Sequence, residues 1–244
     1  MKNLHNADEV IANLKKLANK EKAGVLMRFF KTGKGEYAEG DVFWGINVPT
    51  IRKIAGSASK IEINQVQKLI QDPVHEVRLC GLLILVIKFK NSGPDLQKEI
   101  FDIYLKNRKY INNWDLVDVT APNIIGEFLL NQDRTILYDL ASSDNLWDKR
   151  ISMISTFAFI RKNDFIDAIE ISRLLMFDEH DLIHKATGWM LREIYKRDKE
   201  PVLKILDEFA YTMPRTMLRY CIEKMDEPLR LHYLHLKDKN NKLK

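Results

Sequence analysis

The sequence has little cysteine: two residues, Cys80 and Cys221, in 244. They form no CxxC pair, and each stands inside an apolar run, Leu79–Val86 and Met217–Ile222. That argues against a disulfide framework and against thiolate–metal chemistry, and both read as small buried hydrophobes in a reducing compartment. Chain breakers are also scarce, with 10 Gly and 7 Pro. So few breakers, and no strictly alternating apolar–polar runs, count against many short strands. There is no HxE or HExxH motif, no GxGxxG or Walker loop and no GxSxG. Nothing therefore points to a metal, a nucleotide cofactor or a serine nucleophile. The run Leu79–Val86 is too short to cross a bilayer. The N-terminal stretch is amphipathic and mixed in charge, without the apolar centre of a secretion signal, so the expected location is the cytoplasm.

What is present suits a soluble globular chain. Hydrophobic residues make up 45% and charged residues 30%, enough apolar side chains for a substantial core at this length. The expected organisation is a single helical-repeat domain over 1–236 with a basic tail at 237–244. A net charge of +5 permits a polyanionic partner without requiring one.

Helical periodicity dominates. Val10, Leu14 and Leu17 fall at i, i+4, i+7, and Val25, Phe29 and Phe30 follow the same logic. Pro49 suits the first turn of a short helix, where its missing N–H costs nothing. Val66, Leu69 and Ile70 mark another helix, stopped by Asp72-Pro73. Above this sits a repeat. DPVHEVR at 72–78, DNLWDKR at 144–150 and DEHDLIH at 178–184 each start with Asp and carry a basic or imidazole residue six positions later. Each runs into an apolar helix. Looser versions start at Asn107 and Met213. A period in the mid-thirties with two helices per unit predicts an all-α, HEAT-like or ARM-type solenoid, because one helix pair cannot bury its apolar face alone. A concave, basic face is expected. Asn91-Ser92-Gly93-Pro94 and Lys162-Asn163-Asp164 supply turn chemistry.

Three segments stand out as candidates for chemistry. In Asn113-Trp114-Asp115-Leu116-Val117-Asp118, Asn113 suits an N-cap. Trp114 and Asp118 share a helix face, while Leu116 and Val117 point to the core. Pro122 is expected to kink or break the helix soon after. The plainer alternative is a half-exposed carboxylate near a helix start. Lys185, Trp189, Arg192 and Lys196 form one stripe at i, i+4, i+7, i+11, basic with an indole in the middle. It suits phosphates and a sugar or base, or else is a solvated face with one core Trp. Gly188, costly within a helix, suggests close approach of another backbone. Arg150 repeats the position of Arg78 and His184, and Arg215 and Arg219 add two guanidiniums at i, i+4, a form that matches phosphate oxygens. Ordinary Asp–Arg pairing between repeats is the alternative, and for Arg78 it is the preferred one.

Taken together, MRFFKTGKGEY (27–37), GINVPTIRKIA (45–55), VHEVRLCGLLIL, INNWDLVDVTAP, LWDKRISMISTFAFIRKNDF, DLIHKATGWMLREI and MPRTMLRY resemble the AlkD-like DNA alkylation repair family, the HEAT-like alkylpurine DNA glycosylases. The matching segments span nearly the whole chain. The resemblance implies a solenoid that grips duplex DNA, with catalytic positions at Trp114, Asp118 and Trp189. It implies phosphate contact by Arg150, and approach to the DNA backbone by Arg52 and Arg192. Lys185, Arg215 and Arg219 join them as DNA-binding candidates from the basic spacings above. Asn47-Val48 departs from the polar residues that relatives carry before Pro49. The expected reaction is hydrolysis of the N-glycosidic bond of N3- or N7-alkylpurines in duplex DNA, by a monomer with no metal and no cofactor. A catalytically silent DNA-binding solenoid and a protein–protein scaffold are the competing expectations.

Overall fold

The computed structural model describes residues 3–236; the basic stretch 237–244 lies outside the described residues. The chain divides between Phe128 and Leu129 into two compact units. Among the described residues there is no strand, only an isolated parallel bridge between Val42 and Val74. The fold is all-α and built of helical repeats.

In the first unit the helices are α1 (Ala7–Lys15), α2 (Lys20–Phe29), α3 (Val48–Ser57), α4 (Ile63–Ile70), α5 (His75–Lys90), α6 (Pro94–Lys106) and α7 (Trp114–Ala121). Their ends follow local chemistry. Asn6, Asn19 and Asn47 accept the backbone N–H of Glu9, Lys22 and Thr50 and so cap α1, α2 and α3. Pro49 lies in the first turn of α3, and Pro122 ends α7, after which the chain widens into a π turn over Pro122–Gly126. Helix α5 is the axis of the unit. It is buried on nearly every side, with α3, α4 and α7 packed along it, which is why its sequence is apolar all round rather than striped.

The second unit continues with α8 (Thr135–Ala141), α9 (Leu146–Ser155), α10 (Phe157–Ile160), α11 (Ile166–Leu174), α12 (Asp181–Tyr195), α13 (Glu200–Phe209), α14 (Arg215–Ile222) and α15 (Glu227–Leu234). Helices α9, α12 and α14 stack in succession as one layer. A second layer runs through α8, α11 and α13, joined by packing of α11 on α8, the Arg173–Glu208 ion pair at 2.8 Å and the Phe177–Phe209 ring contact. The sequence repeat is thus the turn that opens each helix of the first layer.

The residue six positions into the repeat has a structural duty. Arg78 donates to the carbonyls of Asp72 and Pro73, and His184 donates to the carbonyl of Asp178. Both fold the turn back on itself. Arg78 also reaches Asn112, and Arg150 reaches the carbonyl of Leu182, so the same position ties one repeat to the next.

Two periodicity expectations turn out differently. Val10 and Leu14 are core, but α1 ends at Lys15 and Leu17 is 47% exposed. Helix α2 forms as expected, yet Val25 and Phe29 are 53% and 61% exposed while Phe30 is buried. They share a face, but that face borders a cavity instead of the core. Cys80 and Cys221 are free and buried, and burial pushes both thiols up to about 12. No helix among the described residues is long and apolar enough to cross a membrane.

Gly188 marks a close approach of two helices in the second unit. A Cβ there would stand 2.5 Å from the carbonyl oxygen of Met217 and 2.6 Å from Cβ of Tyr220, so α12 and α14 touch only because no side chain intervenes. Gly188→Ala should lower stability by roughly 1–3 kcal/mol despite the better helix propensity of Ala. Gly24→Ala in α2, where nothing lies within 4 Å, should raise it by up to about 1 kcal/mol. Chemical denaturation of the two variants against wild type checks both signs.

Candidate active site

Helix α7 begins where the side chain of Asn113 accepts the N–H of Trp114 at 2.8 Å. One turn on, Asp118 stands on the same face, while Leu116 and Val117 are fully buried. Trp114 is half-buried. Its indole stacks on Phe30 (5.2 Å, 22°) and meets Phe29 edge-on (5.8 Å, 76°), and Phe30 stacks in turn on Phe43 at 5.0 Å. These rings and Asp118 line a cavity of about 620 Å³. Val25, Val48 and Pro49 also line it, which accounts for the exposed apolar face of α2. Such a cavity presents aromatic faces with the acidic residue Asp118 in its wall, a combination suited to a cationic, flat or ring-shaped ligand.

Beneath the aromatic rings lies a buried polar network that sequence reading missed. His75 opens α5 and is 2% exposed. Its Nε2 lies 2.8 Å from Asp115 and its Nδ1 3.1 Å from Asp41. Arg78 donates to the other oxygen of Asp41 at 2.6 Å. Burial alone would raise the Asp41 pKa, but the hydrogen bond from His75 and the charge of Arg78 hold it below the ordinary carboxylate value. Next to His75, the Glu76 carboxylate accepts the backbone N–H groups of Trp44, Gly45 and Ile46 at 2.7–3.1 Å. Gly45 makes that turn possible. Its φ is +81°, and a Cβ would meet the carbonyl of Asn19 at 2.3 Å. The segments concerned are 30 to 40 residues apart in sequence, so no spacing rule could have found them. The only sign was the dense run of ionisable residues in VHEVR ahead of an apolar helix.

The other candidates are placed as follows. Arg52 stands exposed on α3. In the second unit, Trp189 is half-buried on α12, donates to Glu193 at 3.2 Å and lies 6.0 Å from the Phe157 ring. The basic stripe is present but already matched. Lys185 pairs with Asp181 (2.7 Å), Lys196 with Glu193 (2.6 Å), and Arg192 with Glu223. Arg150 is 4% exposed and gives one guanidinium nitrogen to the Leu182 carbonyl at 2.6 Å. Arg215 donates to the carbonyl of Leu234, and Arg219 is exposed on α14. Among the described residues no cluster of His, Cys, Asp or Glu could hold a metal ion. His180 and His184 stand at i, i+4, but His180 accepts the N–H of Leu182 and His184 bonds the Asp178 carbonyl.

A family model described as DNA alkylation repair enzyme matches residues 10–225. Among solved structures, a predicted DNA alkylation repair enzyme from Enterococcus faecalis superposes with a TM-score of 0.69 at 17% identity, covering 86% of this chain and 97% of that one. AlkD2 from Streptococcus mutans superposes with a TM-score of 0.53 at 19% identity, covering 90% and 99%. At these identities the structures establish the fold alone. No curated protein matches the sequence.

The network makes a stability prediction. Arg78→Ala leaves the Asp41 carboxylate buried with one cation fewer, a type of loss that costs roughly 3–5 kcal/mol. The exposed pair Lys98–Asp102 is the control: Lys98→Ala should leave the denaturation midpoint nearly unchanged.

Proposed function

Since the chain belongs to the DNA alkylation repair enzyme family, we propose that it is a DNA glycosylase. Its reaction is hydrolysis of the N-glycosidic bond of cationic alkylated purines in duplex DNA, a step of base excision repair. The observation that carries this reading is an indole and a carboxylate one helical turn apart on the wall of a single aromatic cavity, Trp114 and Asp118.

The chemistry fits those two groups. A purine alkylated at N3 or N7 carries a positive charge and leaves without a general acid. Breaking its bond to the sugar develops oxocarbenium character on the deoxyribose. Asp118 opposes that charge and orients the attacking water. A carboxylate about 4 Å from a unit charge is worth on the order of 4 kcal/mol at an effective dielectric of 20, or roughly a thousandfold in rate. The face of Trp114 favours a cation as well. Such a site selects by leaving-group ability, so neutral lesions are poor substrates.

DNA contacts follow the same proposal. Arg52 meets the backbone from the first unit. In the second, Trp189 contacts a sugar, and Arg150, Lys185, Arg192, Arg215 and Arg219 contact phosphates. Four of these five cations already have protein partners. Phosphate binding there exchanges one acceptor for another, and the net gain per contact is smaller than for a free cation.

Base release from methylated duplex DNA tests the reading. Wild type should release methylpurines and leave uracil in place. Asp118→Asn should lose roughly a thousandfold in rate while still binding DNA. Wild type that binds DNA yet releases nothing from several cationic lesions would make the protein a silent DNA-binding member of the family, and efficient uracil release would sink selection by leaving-group ability.

A further inference from the structure

The reaction above makes no use of His75, although both of its ring nitrogens are engaged beside the cavity. Its two ring nitrogens face two carboxylates, Asp41 and Asp115. A neutral imidazole has one N–H and one lone pair. Only the imidazolium can donate to both neighbours. The ring also stacks on Phe43 at 4.4 Å and leans on Phe30 at 5.2 Å, faces that favour a cation.

What His75 holds is the start of α7. Asp115 accepts from His75 with Oδ2 and from the N–H of Leu116 with Oδ1 at 2.9 Å. It is therefore fixed at both oxygens, one residue after Trp114 and three before Asp118. A second path runs through the rings, since Phe30, in contact with His75, is also the ring on which Trp114 stacks. At the far side Asp41 is anchored by Arg78, which also grips Asn112 just ahead of the helix.

We propose that His75 is a positioning residue: by bridging Asp41 and Asp115 it fixes the first turn of α7, and with it the Trp114 ring and the Asp118 carboxylate, in the geometry that meets substrate. The catalytic consequence rests on the glycosylase reading; the structural one does not.

The charges around His75 set its pH range. Asp41 faces it from the loop before α3, Glu76 and Arg78 lie on its own helix, and Asp115 and Asp118 come from α7. Helix α2 contributes Lys22 at the cavity, and Phe30, the residue that follows it, contributes its ring. Glu76 is engaged with three backbone N–H groups. Burial alone would lower the pKa of His75, but Asp115, and then Asp41, outweigh it and raise the value to about 9. A folded pKa above the unfolded one gives stabilisation that is complete below about 6.5 and lost as pH climbs through about 9. Deprotonation turns one N–H into a lone pair aimed at a carboxylate and releases α7.

The experiment follows two signals from pH 6.5 to 10 in wild type, His75→Gln and Asp115→Asn. One is single-turnover methylpurine release at saturating DNA, corrected for spontaneous loss. The other is Trp114 emission, obtained in each background by subtracting the corresponding Trp114→Phe protein. In wild type, both should change with a midpoint near 9, release falling about tenfold per pH unit beyond it. His75→Gln should lower release at neutral pH and remove the alkaline transition from both signals. Asp115→Asn should move the midpoint down by about one unit or more, and it decides the matter if His75→Gln does not fold. A transition that survives in His75→Gln, a midpoint unmoved in Asp115→Asn, or a wild-type Trp114 signal flat to pH 10 would overturn the proposal. If wild type releases no base at all, the glycosylase reading fails by itself and the Trp114 midpoints still decide the role of His75.

Discussion

Asp41 is a carboxylate almost wholly removed from water, and much of the first unit is arranged around keeping it charged. A lone buried carboxylate would take up a proton or unfold its surroundings. Here His75 supplies one hydrogen bond and Arg78 supplies another. These partners come from the start of α5, and they reach on to Asp115 and Asn112 at the start of α7. One buried negative charge thus fastens the loop before α3 and two helix starts together. The aromatic rings of the cavity rest on that junction, because Phe43 and Phe30 cover His75 and Trp114 covers Phe30.

The junction is one case of a device that recurs along the chain. A helical repeat must solve the same problem at every turn, where carbonyls and N–H groups lack helical partners. Arg78 and His184, at the same repeat position, each satisfy the carbonyl six residues back. Arg78 and Arg150 each bind a polar group at the start of the following repeat. A basic residue recurring at one repeat position therefore has a structural reason independent of any nucleic acid. On the DNA-binding reading proposed above, these cations serve the fold first, and phosphates would meet them as competitors of carboxylates and carbonyls already in place.

Helix α2 shows the opposite economy. Val25 and Phe29 are large apolar side chains left in contact with solvent, and they border the same cavity as Trp114 and Asp118. Folding alone would favour burying them. Their exposure, beside an indole and a carboxylate, is the kind of locally unfavourable placement that a ligand-binding surface requires.

Much of this was legible in the sequence, and the boundary has a physical cause. Local chemistry fixed the helices: Asn caps, Pro49 in a first turn, Pro122 where α7 gives way to a π turn, and apolar spacing. The repeat at 72, 144 and 178 fixed the all-α repeat class, because a helix pair cannot bury its own apolar face. The Trp114–Asp118 pair was visible because i, i+4 places two residues on one helix face whatever the rest of the chain does. Periodicity could not say which way a face turns. Val25 and Phe29 have core spacing, and only packing around the cavity decided that they look outward. Nor could spacing reveal that Arg192 stands against Glu223, or that His75 lies between Asp41 and Asp115. The sequence by itself determined the elements and the local pairs, through interactions that reach four residues or fewer. Tertiary structure alone decided the partners of the buried charges, since Coulomb and hydrogen-bond energies depend on distances between segments that chain order does not specify.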